Sequence, residues 1–303
     1  MGGESRYCDW IAVDWGTSKL RAWAIRDDTP IASAQSDKGM GGLEPAGFEP
    51  ALLELVEPWL GTGPMTAMVC GMAGSRQGWT EAPYATVPRA PTGAATAAPK
   101  VADPRLSVRI LPGLKQASPP DVMRGEETQI AGFLTKSPAF DGVICLPGTH
   151  SKWVRISAGE VVSFRTFMTG ELFALLSDAS VLRHTIGTGW DDAAFEAALS
   201  DALSRPEELA ARLFAIRATD LVDTIAPGAA RARLSALLIG AELAAARPYW
   251  LGQDLALVGA AEQCGVYAKA LETQGLSPAI HDGAEMTLAG LAAARHRLKG
   301  ATA

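Results

Sequence analysis

The sequence predicts an α/β protein built from two related lobes, and three observations predict it. Residues 11–23 and 144–156 follow one grammar: an apolar strand, a Gly-Thr turn, then a second strand. In each half of the chain, short β-rich segments give way to segments with helical apolar spacing. At 303 residues, 48% hydrophobic and 20% charged, the chain is long enough to bury the core such a fold requires.

Residues 10–13, 20–26 and 31–36 are short, β-rich and separated by turn chemistry, so they predict a meander. In 48–60, Leu52, Leu55, Val56 and Trp59 share one helical face. Residues 65–70 return as a strand that empties into a glycine-rich polar loop, and the Ala/Pro/Thr/Gly stretch between 86 and 103 reads as connector. After Pro119 and Pro120, Ile130, Phe133 and Leu134 continue the segment from Arg124 at helical spacing. Residues 143–146, 152–156 and 160–167 predict strands, and helices dominate from 169 to about 247. A buried strand over 255–259 leads into a helix. A last helix, 283–298, is rich in small residues and suited to close packing at a lobe junction. The expected lobes are 1–115, with the first Gly-Thr loop, and 116–303, with the second.

Bulk properties exclude several classes. A net charge of −6 with no basic stripe argues against nucleic acid as a partner. The polar first residues give no leader, and the apolar tract 234–246 is interrupted by Glu242, so no membrane span is expected. Cys8, Cys70, Cys145 and Cys264 form no CxxC pair, which argues against a disulfide framework or zinc site and fits a reducing cytoplasm.

A glycine beside a hydroxyl residue at a hairpin tip leaves backbone N–H groups free to wrap phosphate oxygens. Gly16, Thr17, Ser18 and Lys19 form one such loop; Gly148, Thr149 and His150 form the other. Asp14, ending the strand before the first loop, suits Mg²⁺ directly or through water, against the plainer reading of an Asx-turn. Pro147 stands roughly where Asp14 does. Gly259 and Ala260, between strand and helix, let a nucleotide approach the backbone. Arg124 suits a bidentate grip on a carboxylate or phosphate. Glu126, ahead of Glu127, is placed to accept the proton of an attacking hydroxyl, although acidic residues in a first helical turn also complement the helix dipole. Ser75, Arg76 and Gln77, set between glycines after a strand, are candidate substrate contacts, against a tight surface loop. Thr169 reads as a helix cap that also contributes to a pocket wall. His184, His281 and His296 lack metal-ligand spacing, and of the tryptophans near the proposed site (Trp10, Trp15, Trp23, Trp79 and Trp153) most read as core, with room for one to line a pocket.

Together VDWGTS (13–18), CGMAGSRQGW (70–79), MRGEETQ (123–129), LPGTHSKW (146–153) and FMTGELF (167–173) resemble the 2-dehydro-3-deoxygalactonokinase family of the sugar kinase/Hsp70/actin superfamily. The resemblance implies two actin-like (ribonuclease H-like) lobes closing on ATP and Mg²⁺. It also implies phosphorylation of the C6 hydroxyl of 2-dehydro-3-deoxy-D-galactonate, a small-molecule sugar acid, in galactonate breakdown. On this resemblance Asp14 with 16–18 is the first phosphate loop, Gly148 and Thr149 the second, and Val258 to Ala260 the adenosine segment. Many superfamily members carry an aspartate in the second loop, where this chain has Pro147, and the base role falls to Glu126. A phosphohydrolase of the same superfamily and a non-catalytic actin-like nucleotide-binding module are the alternatives. A homo-oligomer is compatible with the sequence.

Overall fold

A computed structural model of the chain describes residues 7–93 and 95–301. β1 (Trp10–Trp15), β2 (Leu20–Arg26) and β3 (Thr29–Ser36) form the expected antiparallel meander. β1 is apolar everywhere but Asp14 and buried on both faces, as a central strand must be. Asp27 and Asp28 turn β2 into β3 with φ of 48° and 58°, the left-handed pair that a two-residue hairpin demands. α1 (Phe48–Val56) buries Phe48, Ala51, Leu52 and Val56. Pro58 confines the rest of the predicted helix to the 3-10 turn Glu57–Trp59. β4 (Met65–Gly71) lies parallel to β1. Then come β5 (Ala85–Thr86), β6 (Leu106–Ile110), β7 (Leu114–Ala117), β8 (Pro120–Met123) and α2 (Glu126–Lys136). β6 pairs parallel to β4 and completes a sheet of order β3-β2-β1-β4-β6, while β5, β7 and β8 make a small sheet of their own.

The second half repeats the plan. β9 (Gly142–Leu146), β10 (Ser151–Ser157) and β11 (Glu160–Phe167) precede α3 (Thr169–Asp178), α4 (Asp192–Ser204), α5 (Leu209–Asp223), α6 (Pro227–Ala245) and α7 (Arg247–Trp250). β12 (Leu255–Gly259), α8 (Ala261–Glu272), β13 (Ala279–Asp282) and α9 (Gly283–Ala301) follow. The second sheet has the order β11-β10-β9-β12-β13. β9 is central, with β10 antiparallel on one side and β12 parallel on the other, as β1 is with β2 and β4. The hairpin of β10 and β11, like that of β2 and β3, turns on a left-handed pair, Ala158 and Gly159, with φ of 50° and 74°.

Two compact units result: Met1–Phe140 with Ser157–Ser163 and Gly283–Ala303, and Asp141–Ile156 with Phe164–Asp282. A boundary at 115 would fall inside β7, within the first unit. α9, expected at a lobe junction, packs inside that unit on α2. A Cβ on Gly132 would stand 1.9 Å from the Met286 carbonyl oxygen, and one on Gly290 would stand 1.9 Å from that of Thr128. The two helices therefore cross backbone on backbone. In the first unit α1 covers one face of the sheet, with Trp15 and Phe48 ring centroids 4.9 Å apart. Leu291 and Ala294 of α9 pack against Trp10, Ala12 and Met68. In the second, Val143, Trp153 and Leu257 pack against Phe195, Leu243 and Tyr267. No helix among the described residues is long and apolar enough to cross a membrane.

Gly290→Ala should lower the free energy of unfolding by about 2–3 kcal/mol through overpacking. Gly265→Ala lies in the exposed interior of α8, where a Cβ meets nothing within 4 Å, and should stabilise by about 0.5–1 kcal/mol through helix propensity. Urea midpoints of the two variants, moving in opposite directions, check both.

Candidate functional site

In the first unit the site begins where β1 ends. The Asp14 side chain is 15% exposed; one oxygen pairs with Arg21, its cross-strand neighbour, and the other accepts from the Cys70 thiol at 3.8 Å. The adjoining hairpin closes with Gly16 N–H donating to the Lys19 carbonyl at 2.8 Å. The Gly16 and Thr17 carbonyls accept from Met40 and Gly41 at 3.0 and 2.9 Å, and Thr17, Ser18 and Lys19 remain exposed. Lys19 pairs with Asp37 at 2.6 Å.

Two left-handed glycines draw α2 to this place. Gly71, at φ 87°, allows β4 so near β1 that a Cβ would lie 2.5 Å from the Trp15 carbonyl oxygen. Gly125, at φ 107°, sits against Gly71. Cys70 then lies between Asp14 and Glu127: burial first, and next those two charges, push its thiol well up. Glu127 is buried and accepts the Gly125 N–H at 2.7 Å and the Thr128 hydroxyl at 3.0 Å. Burial, reinforced by the charge of Glu126, raises its carboxyl to about 8. Glu126 is only half buried and accepts the Arg124 N–H at 3.0 Å.

Arg124 is 9% exposed, donates from Nη2 to the Ala82 carbonyl at 2.7 Å, and lies over the Tyr84 ring at 4.3 Å. Its Nε and Nη1, and the hydroxyl of buried Ser75, have no partner among the described residues. Gly74 clears the space beside them, since a Cβ there would stand 2.7 Å from Nη1. Buried donors of this kind are rare in native proteins. Arg76 and Gln77 are exposed, Arg76 lying 3.9 Å from Glu81, so of the three candidate contacts only Ser75 turns inward.

In the second unit the Gly-Thr loop lies across the first turn of α3. A Cβ on Gly170 would stand 2.3 Å from the Gly148 carbonyl oxygen, Glu171 N–H donates to the Thr149 carbonyl at 2.9 Å, and His150 Nε2 is 2.6 Å from the Glu171 carboxylate. Counted back from Gly148, Leu146 rather than Pro147 occupies the place of Asp14; neither supplies a carboxylate. A cavity of about 750 Å³ opens beside the loop. Gly148, Thr169 and Gly170 form one end, Phe173, Trp190, Leu238, Ile239 and Val266 its apolar walls, and Arg231, Ser235, Glu262 and Gln263 its polar groups. Gly259 and Ala260 do not line it. Gly259 instead packs against Pro147 and Cys264, which brings the first turns of α8 to the wall. Thr169 is not the cap of α3; Met168 precedes the helix, and the Thr169 hydroxyl donates into the core to Glu242.

The chain matches the family model described as 2-keto-3-deoxy-galactonokinase over residues 14–294. It belongs to this family. The curated protein named "Probable 2-dehydro-3-deoxygalactonokinase DgoK1" from Rhizobium meliloti is 41% identical over 94% of this chain and 96% of its own. The 2-dehydro-3-deoxygalactonokinase of Escherichia coli is 35% identical over 88% and 90%. A solved structure of a Sinorhizobium meliloti protein of the family superposes with a TM-score of 0.87 at 39% identity, covering 95% of this chain and 99% of that one. The fold is the expected α/β one with two five-stranded sheets, and it is shared at a TM-score of 0.51 and 13% identity with component A of the (R)-2-hydroxyglutaryl-CoA dehydratase of Acidaminococcus fermentans.

Within this 2-keto-3-deoxy-galactonokinase chain, sequence reasoning placed Thr169 at a pocket wall and singled out the string that holds Phe173, but missed Trp190, Arg231 and Ser235, which come from two separate segments with no shared motif. Glu242 left one signal, a charge inside an apolar helical tract.

The raised carboxyl of Glu127 gives a pH dependence. The native state binds this proton more tightly than the unfolded chain, so the associated stability is present below about 4.5 and is lost as pH rises to about 8. Glu127→Gln removes the titration. Over that window its urea midpoint should gain on the native chain by an amount worth a few kcal/mol; a constant difference would return Glu127 to an ordinary carboxyl.

Proposed function

We propose that this protein transfers the γ-phosphate of ATP to the C6 hydroxyl of 2-dehydro-3-deoxy-D-galactonate. Family membership over residues 14–294 carries the reading of the reaction, and the unpartnered donors of Arg124 and Ser75 carry the reading of the acceptor. A sugar acid of this class has a carboxylate beside a keto oxygen. A guanidinium with two N–H groups to spare, next to a free hydroxyl, complements such a pair and is costly to leave unmet. The cavity of the second unit takes the nucleoside, with its base between apolar walls and the loop 148–150 and the α3 N-terminus on phosphate. Asp14 and the loop 16–19 act as the other phosphate-handling element.

Mg²⁺ supplies charge neutralisation on the triphosphate. Asp14 would be the protein's contact to that ion, with phosphate oxygens and water as its other ligands. Glu126, the more accessible carboxylate of its pair, takes the proton from the C6 hydroxyl, while Glu127 holds the turn into α2 by accepting from Gly125 and Thr128.

ADP release from ATP should depend on 2-dehydro-3-deoxy-D-galactonate, with the gluconate epimer run in parallel; release without any sugar acid would identify a phosphohydrolase, and ATP binding without turnover a binding module. Arg124→Lys keeps the charge but loses the fork and should raise the sugar-acid KM at least about tenfold, with the ATP KM unchanged. Asp14→Asn should lower kcat by about a hundredfold or more with folding intact by circular dichroism. An unchanged KM in the first variant, or unchanged kcat in the second, would remove the role given to that residue.

A further inference from the structure

Beneath the cavity of the second unit lies a carboxylate with no part in the proposed chemistry. Glu242, on α6, is 2% exposed and is not among the residues lining the cavity. One of its oxygens accepts the indole N–H of Trp153 from β10 at 2.8 Å. The other accepts the Tyr267 hydroxyl from α8 at 2.8 Å, and also the hydroxyl of Thr169, the first residue of α3. The Tyr267 hydroxyl lies 2.8 Å from the Ser151 hydroxyl, at the point where the loop 148–150 enters β10. A single buried group on α6 thus ties together α3, β10 and α8. Two of its partners, Thr169 and Tyr267, present a surface to the cavity.

Stability alone gives a poor reason for a carboxylate here. Its neighbours on α6 are Leu237, Leu238, Ile239 and Leu243, and a leucine in its place would avoid the desolvation of a charge. What an apolar side chain lacks is direction. Three donors converging on one carboxylate fix the rotamers of Thr169, Tyr267 and Trp153 together. They also fix where the first turn of α3 stands against the Gly148 carbonyl, a contact with no slack because Gly170 fills it.

We propose that Glu242 is a positioning residue for nucleotide binding, which anchors Thr169, Tyr267 and, through Tyr267, Ser151, and so presets the α3 N-terminus and the loop 148–150 to receive phosphate. The proposal rests on the reading that this cavity takes the nucleotide. Glu242 acts entirely through its partners, since it does not reach the cavity. Glu242→Gln keeps the shape but cannot accept from all three donors. Thr169→Val cuts only the link to α3.

ADP with Mg²⁺ is titrated calorimetrically into the full-length protein and its variants, well below their unfolding midpoints. Each single variant should weaken ADP binding about tenfold, the equivalent of one charge-assisted hydrogen bond, while the sugar-acid KM stays within about twofold. The double variant should be little worse than the poorer single, because both break one connection. A merely structural role predicts a lower unfolding midpoint with ADP affinity unchanged, and that result overturns the proposal. So does a multiplicative loss in the double variant. Should Glu242→Gln fail to fold, Thr169→Val and Tyr267→Phe carry the same test with the same expected loss. If the native protein binds no ADP, the nucleotide reading fails and this inference with it, whereas native binding matched by the variants sinks the inference alone.

Discussion

Both central strands end where one backbone must lie directly on another, and the functional geometry is set by those contacts. In the first unit the end of β4 touches the Trp15 carbonyl through Gly71, and Gly125 then lies on Gly71. In the second, Gly170 touches the Gly148 carbonyl and Gly259 approaches Pro147. A methyl group would stand 2.5 Å from the Trp15 carbonyl oxygen at Gly71 and 2.3 Å from the Gly148 carbonyl oxygen at Gly170, so these two contacts admit none. The consequence is that Asp14, Cys70 and Glu127 converge at one strand end, while Gly148, Thr149 and the first turn of α3 converge at the other. Side chains decorate these junctions; bare backbone creates them.

The two units handle buried charge in opposite ways. Around Arg124 the arrangement is incomplete: the guanidinium rests on the face of Tyr84 and spends one donor on Ala82, but two N–H groups and the Ser75 hydroxyl remain unmet. Around Glu242 the arrangement is saturated, with three donors on one carboxylate. An incomplete set gains when a ligand arrives, and a complete set resists deformation. Recognition and rigidity are therefore carried by different residues, each built into its own sheet-and-helix unit.

Much of this was legible in the sequence, and the exceptions have physical causes. The hairpin loops were readable because a Gly-Thr tip between apolar strands is a local signal, and the repeated sheet order follows from it. β7, β8 and β13 were not, because each has four residues with little continuous apolar pattern and β13 is mostly exposed. Thr169 followed the local rule for a cap, yet its partner lies 73 residues away, beyond any local rule. The adjacent Glu126 and Glu127 look alike in sequence; only the path of α2 decides which is buried. Arg76, a candidate contact, is exposed beside Glu81, whereas Ser75 of the same loop is buried.

The crossing of α2 with α9 has a consequence for how the molecule comes into being. Residues 283–301 leave the ribosome only after the whole of the second unit, yet they cover Trp10, Ala12 and Met68, which were made near the start. During synthesis the earlier sheet must therefore wait with one apolar face bare while the later unit completes itself. The nascent chain passes through an interval in which the first sheet is its least protected part, and the arrival of α9 ends it.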